Sequence, residues 1–152
     1  MPSRYWVAFS GGSDSTVLLH LLANLRGELT APLAAVHVDH GLHADSAAWG
    51  RHCEGVCEQL DLPLRSLRVD ATPGKGESPE AAARERRYAA IDAELEQGSM
   101  LLTAHHRDDQ AETLLLQLLR GAGVAGLAGM PLLRPWGDKW QGRPLLDVAR
   151  SD

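Results

Sequence analysis

Only two of the 152 residues are cysteine, only two are lysine, and no apolar run is long enough to cross a membrane. Each shortage excludes something. A spanning helix needs about 20 consecutive apolar residues, and the best stretches here are broken by charge or glycine well before that. Residues 1–10 lack a basic start, an apolar stretch and a small-residue cleavage site, so no secretory leader and no membrane partner are expected. Cys53 and Cys57 lie four apart, share one helical face, and are too few ligands for a zinc or iron–sulfur site. Two reduced, partly buried thiols in a cytoplasmic setting are the expectation. Of 15 basic residues only Lys75 and Lys139 are lysine, and no Gly-Lys-Ser/Thr ends a glycine-rich loop, which rules out a Walker P-loop. The net charge of −5 argues against a free-standing nucleic-acid binder, which normally carries a basic excess.

What is present is an alternation of strand and helix. Apolar runs at Tyr5–Phe9, Leu33–Val38, Leu64–Val69 and Met100–Ala104 predict strands. Between and after them, Ser15–Leu25, Ser46–Leu60, a segment from Ser78–Pro79 to about Gln97, and Asp109–Arg120 predict helices, Pro79 standing at a first helical position. Such units in series predict an α/β fold: a parallel sheet with helices on both faces. Residues 130–152 read as an irregular Pro/Trp stretch that closes no further unit. The expectation is therefore one catalytic domain over 1–152, incomplete at its carboxyl end. Four strands are recognisable, with a fifth truncated beyond Arg143-Pro144-Leu145-Leu146 and the fourth left as an exposed edge.

In open parallel sheets ligands bind beyond the carboxyl ends of the strands. Strand one ends in Ser10-Gly11-Gly12-Ser13-Asp14-Ser15, strand two in His37-Val38-Asp39-His40-Gly41, and strand four in His105-His106-Arg107-Asp108-Asp109. Three polar clusters at one end make a site. Gly11 and Gly12 let the backbone turn its N–H groups toward an anion at the start of a helix, and the serines add hydroxyls; the plainer alternative is a turn capped by Ser13 or Asp14. On the third helix Ala81, Arg84, Tyr88, Ile91 and Leu95 form a stripe predicted to face the sheet. An arginine on that stripe needs either a structural carboxylate or a phosphate. Asp109 is read either as a chemical group beside His105 or as an N-cap completed by Glu112. His37, Asp39, His40 and His43 would bind zinc only if three or four converged, and nucleotide contacts or a packed loop are the preferred readings. Gly121-Ala122-Gly123-Val124-Ala125-Gly126 matches G-x-G-x-x-G but follows a helix, so it is not a dinucleotide fingerprint.

The Ser10–Ser15 loop resembles the SGGxDS pyrophosphate loop of the N-type ATP pyrophosphatases, the PP-loop family. Further stretches sharpen the match: His37-Val38-Asp39-His40-Gly41-Leu42, Glu80-Ala81-Ala82-Ala83-Arg84-Glu85, Ala104-His105-His106-Arg107-Asp108-Asp109, Arg120–Leu127 and Arg143–Leu146. In order and spacing they resemble the tRNA(Ile)-lysidine synthases over nearly all of 4–150. His43 departs from the pattern, standing where that family usually carries arginine. The resemblance implies an adenine nucleotide alpha hydrolase-like fold and a ligase forming a carbon–nitrogen bond. It implies ATP-dependent attachment of free lysine to the wobble cytidine of tRNA(Ile) with a CAU anticodon, through an adenylated cytidine. It also implies catalytic roles for Asp14, Arg84, His105 and Asp109, ATP binding by Ser10, Gly11, Gly12, Ser13, Asp14, Ser15 and His37, and Mg2+ with Asp14 as a candidate ligand. Three other readings stay open. A tRNA thiolase on the same fold would need reactive or cluster-binding cysteines. A metal phosphohydrolase would use the His/Asp clusters, and a non-enzymatic nucleotide-binding module would bind ATP without releasing pyrophosphate.

Overall fold

Strand and helix alternate as their apolar periodicities require, and a computed structural model describes residues 2–41, 45–70, 74–76, 78–105 and 131–146. Strand β1 spans Tyr5–Ala8, β2 Leu33–Asp39, β3 Leu64–Arg68 and β4 Met100–Leu102; helices α1, Ser13–Asn24, α2, Ser46–Gln59, and α3, Pro79–Glu94, alternate with them. A short 3-10 turn, Arg26–Glu28, leads from α1 toward β2. The strands join one six-stranded sheet in the order β3-β2-β1-β4-β6-β5. Pairings β1–β2, β1–β4 and β2–β3 are parallel. Successive side chains on each strand face opposite sides. Val7, Leu33, Ala35 and Leu102 pack with Leu18 and Leu19 of α1 and Cys53 and Cys57 of α2. Their neighbours Trp6, Ala34, Val36 and Leu101 pack on the other face with Ile91 of α3 and Leu95 beyond its end. Helices therefore cover both faces, as expected.

The carboxyl-terminal part departs from expectation. Instead of an irregular stretch, Leu133–Trp136 forms β5 and Lys139–Gly142 forms β6, an antiparallel hairpin. Gly137 has φ +59, so Gly137–Asp138 is a two-residue turn of the kind that matches strand twist. Strand β6 pairs in parallel with β4, from Met100↔Trp140 to Leu102↔Gly142. The fifth parallel strand thus precedes Arg143-Pro144-Leu145-Leu146 rather than following it, and β4 is no edge. Pro135 sits in β5, at the sheet's edge, where its missing N–H disturbs no second ladder. Lys139 is 5% exposed and bonds Asp92 of α3 at 2.9 Å and Asp138 at 2.8 Å, fastening the hairpin to the helix layer. Among the described residues no helix is long and apolar enough to cross a membrane.

Candidate active site

Strand order reverses between β1 and β4, and a cavity of about 450 Å³ opens there beyond the strand ends, a volume that suits a nucleotide-sized ligand. Its walls come from three of the predicted clusters. Ser10, Asp14 and Ser15 follow β1, His37 and His40 belong to β2 and its end, and Thr103 and His105 follow β4.

The loop after β1 is held by its own hydroxyls. The Ser10 N–H donates to Ser15 Oγ at 3.2 Å and the Gly12 N–H donates to Ser10 Oγ at 3.3 Å. Ser15 Oγ donates to the Gly12 carbonyl at 3.3 Å, so in the 3.0 Å Ser10–Ser15 pair the Ser10 hydroxyl is the donor. These two serines shape the loop rather than cap the helix. The N-cap of α1 is Gly12 and no side chain caps it, against the alternative of a cap by Ser13 or Asp14. A glycine N-cap has no side chain to offer the first-turn N–H groups, at the end of α1 where an anion is favoured. Gly11 is buried with φ +86, and a Cβ there would come within 3.0 Å of both Cys53 Sγ and the Trp49 ring. Trp49 Nε1 in turn donates to the Ser10 carbonyl at 2.5 Å, so α2 clamps the loop from one side.

His37 is 5% exposed, and its Nδ1 lies 3.0 Å from the Phe9 carbonyl. A carbonyl only accepts, so Nδ1 carries the proton and Nε2 is left as the acceptor. His40 is held below the ordinary imidazole range, first by burial and then by the charge of Arg87. Asp39 lines the cavity and its Oδ1 accepts the Gly41 N–H at 2.8 Å. Thr103 Oγ1 and His105 Nδ1 are 2.8 Å apart. Among the described residues no three His, Cys, Asp or Glu side chains are grouped to hold a metal ion.

One phase prediction needs correcting. Ala81 and Arg84 are exposed, and the inner side of α3 follows Ala83, Arg87, Ile91 and Leu95 at four-residue steps, with Ala82 buried beside it. Counting back from Ile91 by four reaches Arg87, whereas counting back from Tyr88 reaches Arg84, one position round the helix. Arg87 therefore lines the cavity, while Arg84 stands outside it with its guanidinium 5.8 Å from the Tyr88 ring. Sequence reasoning also missed Trp49 and Gln141. Trp49 carried a signal, since it falls one turn before Cys53 on α2; Gln141 carried none. Asp109, His106, Asp108, His43, the predicted helix 109–120 and the glycine run 121–126 lie outside the described residues.

A glycine loop shaped by its own serines, opening on an uncapped helix at the switch point of a mostly parallel sheet, defines a nucleotide-binding α/β domain. Residues 1–152 match the PP-loop domain, and the chain belongs to this ATP-binding family. Over 151 residues the chain is 56% identical to a tRNA(Ile)-lysidine synthase of Pseudomonas fluorescens, covering 99% of this chain and 34% of that protein. It is 51% identical to the Methylococcus capsulatus protein of the same name, covering 99% of this chain and 34% of the relative. The chain thus spans about a third of the length of these curated relatives. Among solved structures it is similar in fold to the U34-tRNA thiolase NcsA of Methanococcus maripaludis with its 4Fe-4S cluster. The TM-score is 0.75 at 18% identity, over 99% of this chain and 54% of that one.

Proposed function

We propose that this chain is the ATP-using catalytic domain of a cytoplasmic tRNA(Ile)-lysidine synthase, which joins free lysine to the wobble cytidine of tRNA(Ile) with a CAU anticodon. One observation carries the reading: the SGGxDS-type loop borders the switch-point cavity through Ser10, Asp14 and Ser15 and leads into the glycine-capped start of α1, in a chain 56% identical to a synthase of that name. In the first step the cytosine O2 attacks the α-phosphorus of ATP, and pyrophosphate leaves. In the second a lysine amine attacks C2, the C2–O bond breaks, and AMP leaves while the amine gives up a proton.

This chain's groups suit those needs. Ser10 to Ser15 cradle the polyphosphate, and Gly11 and Gly12 allow its close approach. His37 offers the Nε2 lone pair to the adenosine half. Arg87 in the wall sets cationic charge against the charge that develops at the reacting phosphorus, and Arg84, outside the cavity on the neighbouring row of α3, is the second candidate cation. His105 and Asp109 are the candidates to receive the amine's proton. The carboxylate of Asp14 stands in the cavity beside the phosphate loop, an oxygen donor of the type Mg2+ takes alongside phosphate oxygens and water. Bound there, Mg2+ would neutralise polyphosphate charge.

The test is radiolabelled lysine incorporation into tRNA(Ile) by the full-length protein, with pyrophosphate release measured in parallel. Lysine-containing cytidine is the expected product. ATP binding without any tRNA-dependent pyrophosphate release would leave only a nucleotide-binding module, and sulfur incorporation into tRNA would favour the thiolase reading.

A further inference from the structure

We propose that Gln141 is a positioning residue: through Thr103 it holds His105 in the tautomer protonated on Nε2, so that His105 serves the reaction as a hydrogen-bond donor and not as the proton acceptor. The proposal rests on the reading that this cavity takes ATP. Gln141 is fully buried on β6, and four side chains converge on its amide. Arg134 Nε donates to its Oε1 at 2.8 Å and Arg143 Nη2 donates to the same oxygen at 3.5 Å. A guanidinium has no acceptor, so these two arginines fix which end of the amide is oxygen. The amide nitrogen must then face the opposite way, where Nε2 donates to the Tyr88 hydroxyl at 3.2 Å and to Thr103 Oγ1 at 3.4 Å.

The polarity passes on to the histidine. Thr103 is 4% exposed, and its oxygen already accepts from Gln141. Its remaining partner is His105 Nδ1 at 2.8 Å. If Nδ1 carried a proton, the hydroxyl would face two donors, and its own hydrogen would be buried without an acceptor. The hydroxyl therefore donates, Nδ1 accepts, and the ring proton sits on Nε2. In the neutral ring no basic lone pair is then left for a proton from the amine. His105 is suited to donate to an anionic oxygen of ATP or of the adenylated intermediate, and proton acceptance falls to Asp109.

The tautomer is readable without any assay of activity. Two-bond proton–nitrogen correlations on the 15N-histidine-labelled chain would be recorded at about pH 8, above the ordinary imidazole pKa of ~6.5. The His105 signals are assigned by their loss in His105→Asn. Wild type is expected to show a pyridine-type Nδ1 and a pyrrole-type Nε2. Gln141→Glu is the decisive variant. A carboxylate offers only acceptors and sits well between two guanidiniums; the Thr103 hydroxyl should turn toward it and accept from His105, reversing the two nitrogen signals. Thr103→Ser should keep the wild-type pattern and Thr103→Val should give a mixture. An Nδ1–H tautomer in wild type overturns the proposal, as does an unchanged pattern in folded Gln141→Glu. Should that variant fail to fold, the Thr103 pair decides. Adding ATP should shift the His105 Nε2–H signal. If ATP moves no histidine signal while the tautomer holds, the nucleotide reading falls and takes the catalytic role with it, and the lock itself stands.

Discussion

At the scale of single residues, three sites make sharp demands. Gly11→Ala would place a Cβ against Cys53 Sγ and the Trp49 ring and force a non-glycine residue to φ +86. The left-handed conformation alone costs about 1–2 kcal/mol. We expect a lowered melting temperature together with loss of ATP affinity, followed by titration of tryptophan fluorescence with Trp49→Phe as control. Arg84 and Arg87 differ in place, so their variants should differ in effect. Arg87→Ala should weaken ATP binding itself. Arg84→Ala should leave binding within a few-fold and slow tRNA-dependent pyrophosphate release by roughly 100-fold, the scale of one lost electrostatic contact at a transition state. Equal ATP affinity and equal release in Arg84→Ala and wild type would remove Arg84 from the reaction. The cysteines are chemically quiet. Burial first, then the charge of Glu54, pushes the Cys53 thiol up to about 11, and burial with the neighbouring Cys53 does the same to Cys57. At pH 8 about one thiol in a thousand is then ionised, and the thiolate is the reactive form. Alkylation should be slow in the folded chain and fast in urea. The same shift sets a sign for stability. The fold favours the neutral thiols, so their contribution is present below pH 9.0 and is lost as pH rises toward about 11. A folded-state labelling rate near that of a free thiol would contradict the burial and revive a thiolase-type role.

At the scale of elements, α3 shows local sequence and tertiary demand acting together. Ser78 Oγ accepts the Ala81 N–H at 3.0 Å and Pro79 holds the first turn, so the helix start is specified locally. Ser78→Ala is expected to lose about 1 kcal/mol, measured by urea denaturation with unchanged slope. Which side of α3 faces inward is a different matter. Tyr88, Ile91 and Leu95 allow two neighbouring phases, and the four-step row through Arg87 is chosen because Ile91 and Leu95 pack with Trp6, Val36 and Leu101. The hairpin β5–β6 follows the same division. Gly137–Asp138 marks a turn, yet Lys139 and Gln141 are polar residues at buried positions, and no apolar alternation announces β6. Lys139 is tolerated there because two aspartates bond it, and Gln141 because all four of its bonds are made.

At the scale of the molecule, charge and length bear on what this chain does alone. Gripping a tRNA takes several phosphate contacts, each adding to salt dependence, and a chain of net charge −5 is a poor start. The cavity-lining residues after β1, β2 and β4 are all within it. The 152-residue chain should therefore bind ATP and fail to modify tRNA, whereas a protein of the relatives' full length should do both. Filter binding of tRNA(Ile) and lysine incorporation, with chain and full-length protein side by side, check this; full-rate modification by the chain alone would show that the recognition surface lies within it.

What the sequence determined by itself is everything that rests on local chemistry. Alternating strand and helix periods, the serine–glycine loop after β1, and the rule that ligands meet parallel strands at their carboxyl ends are enough to bring Ser10, Asp14, Ser15, His37 and His105 to one cavity. Only the tertiary structure decided matters that depend on a distant partner. It put Arg87 rather than Arg84 in the cavity wall, brought β6 beside β4, and drew Trp49 onto the loop. It also buried Gln141 between two arginines and a threonine. Periodicity records which residues share a face of one element; it does not record which neighbouring element will meet that face, because the energy that decides it arises only when the two surfaces pack.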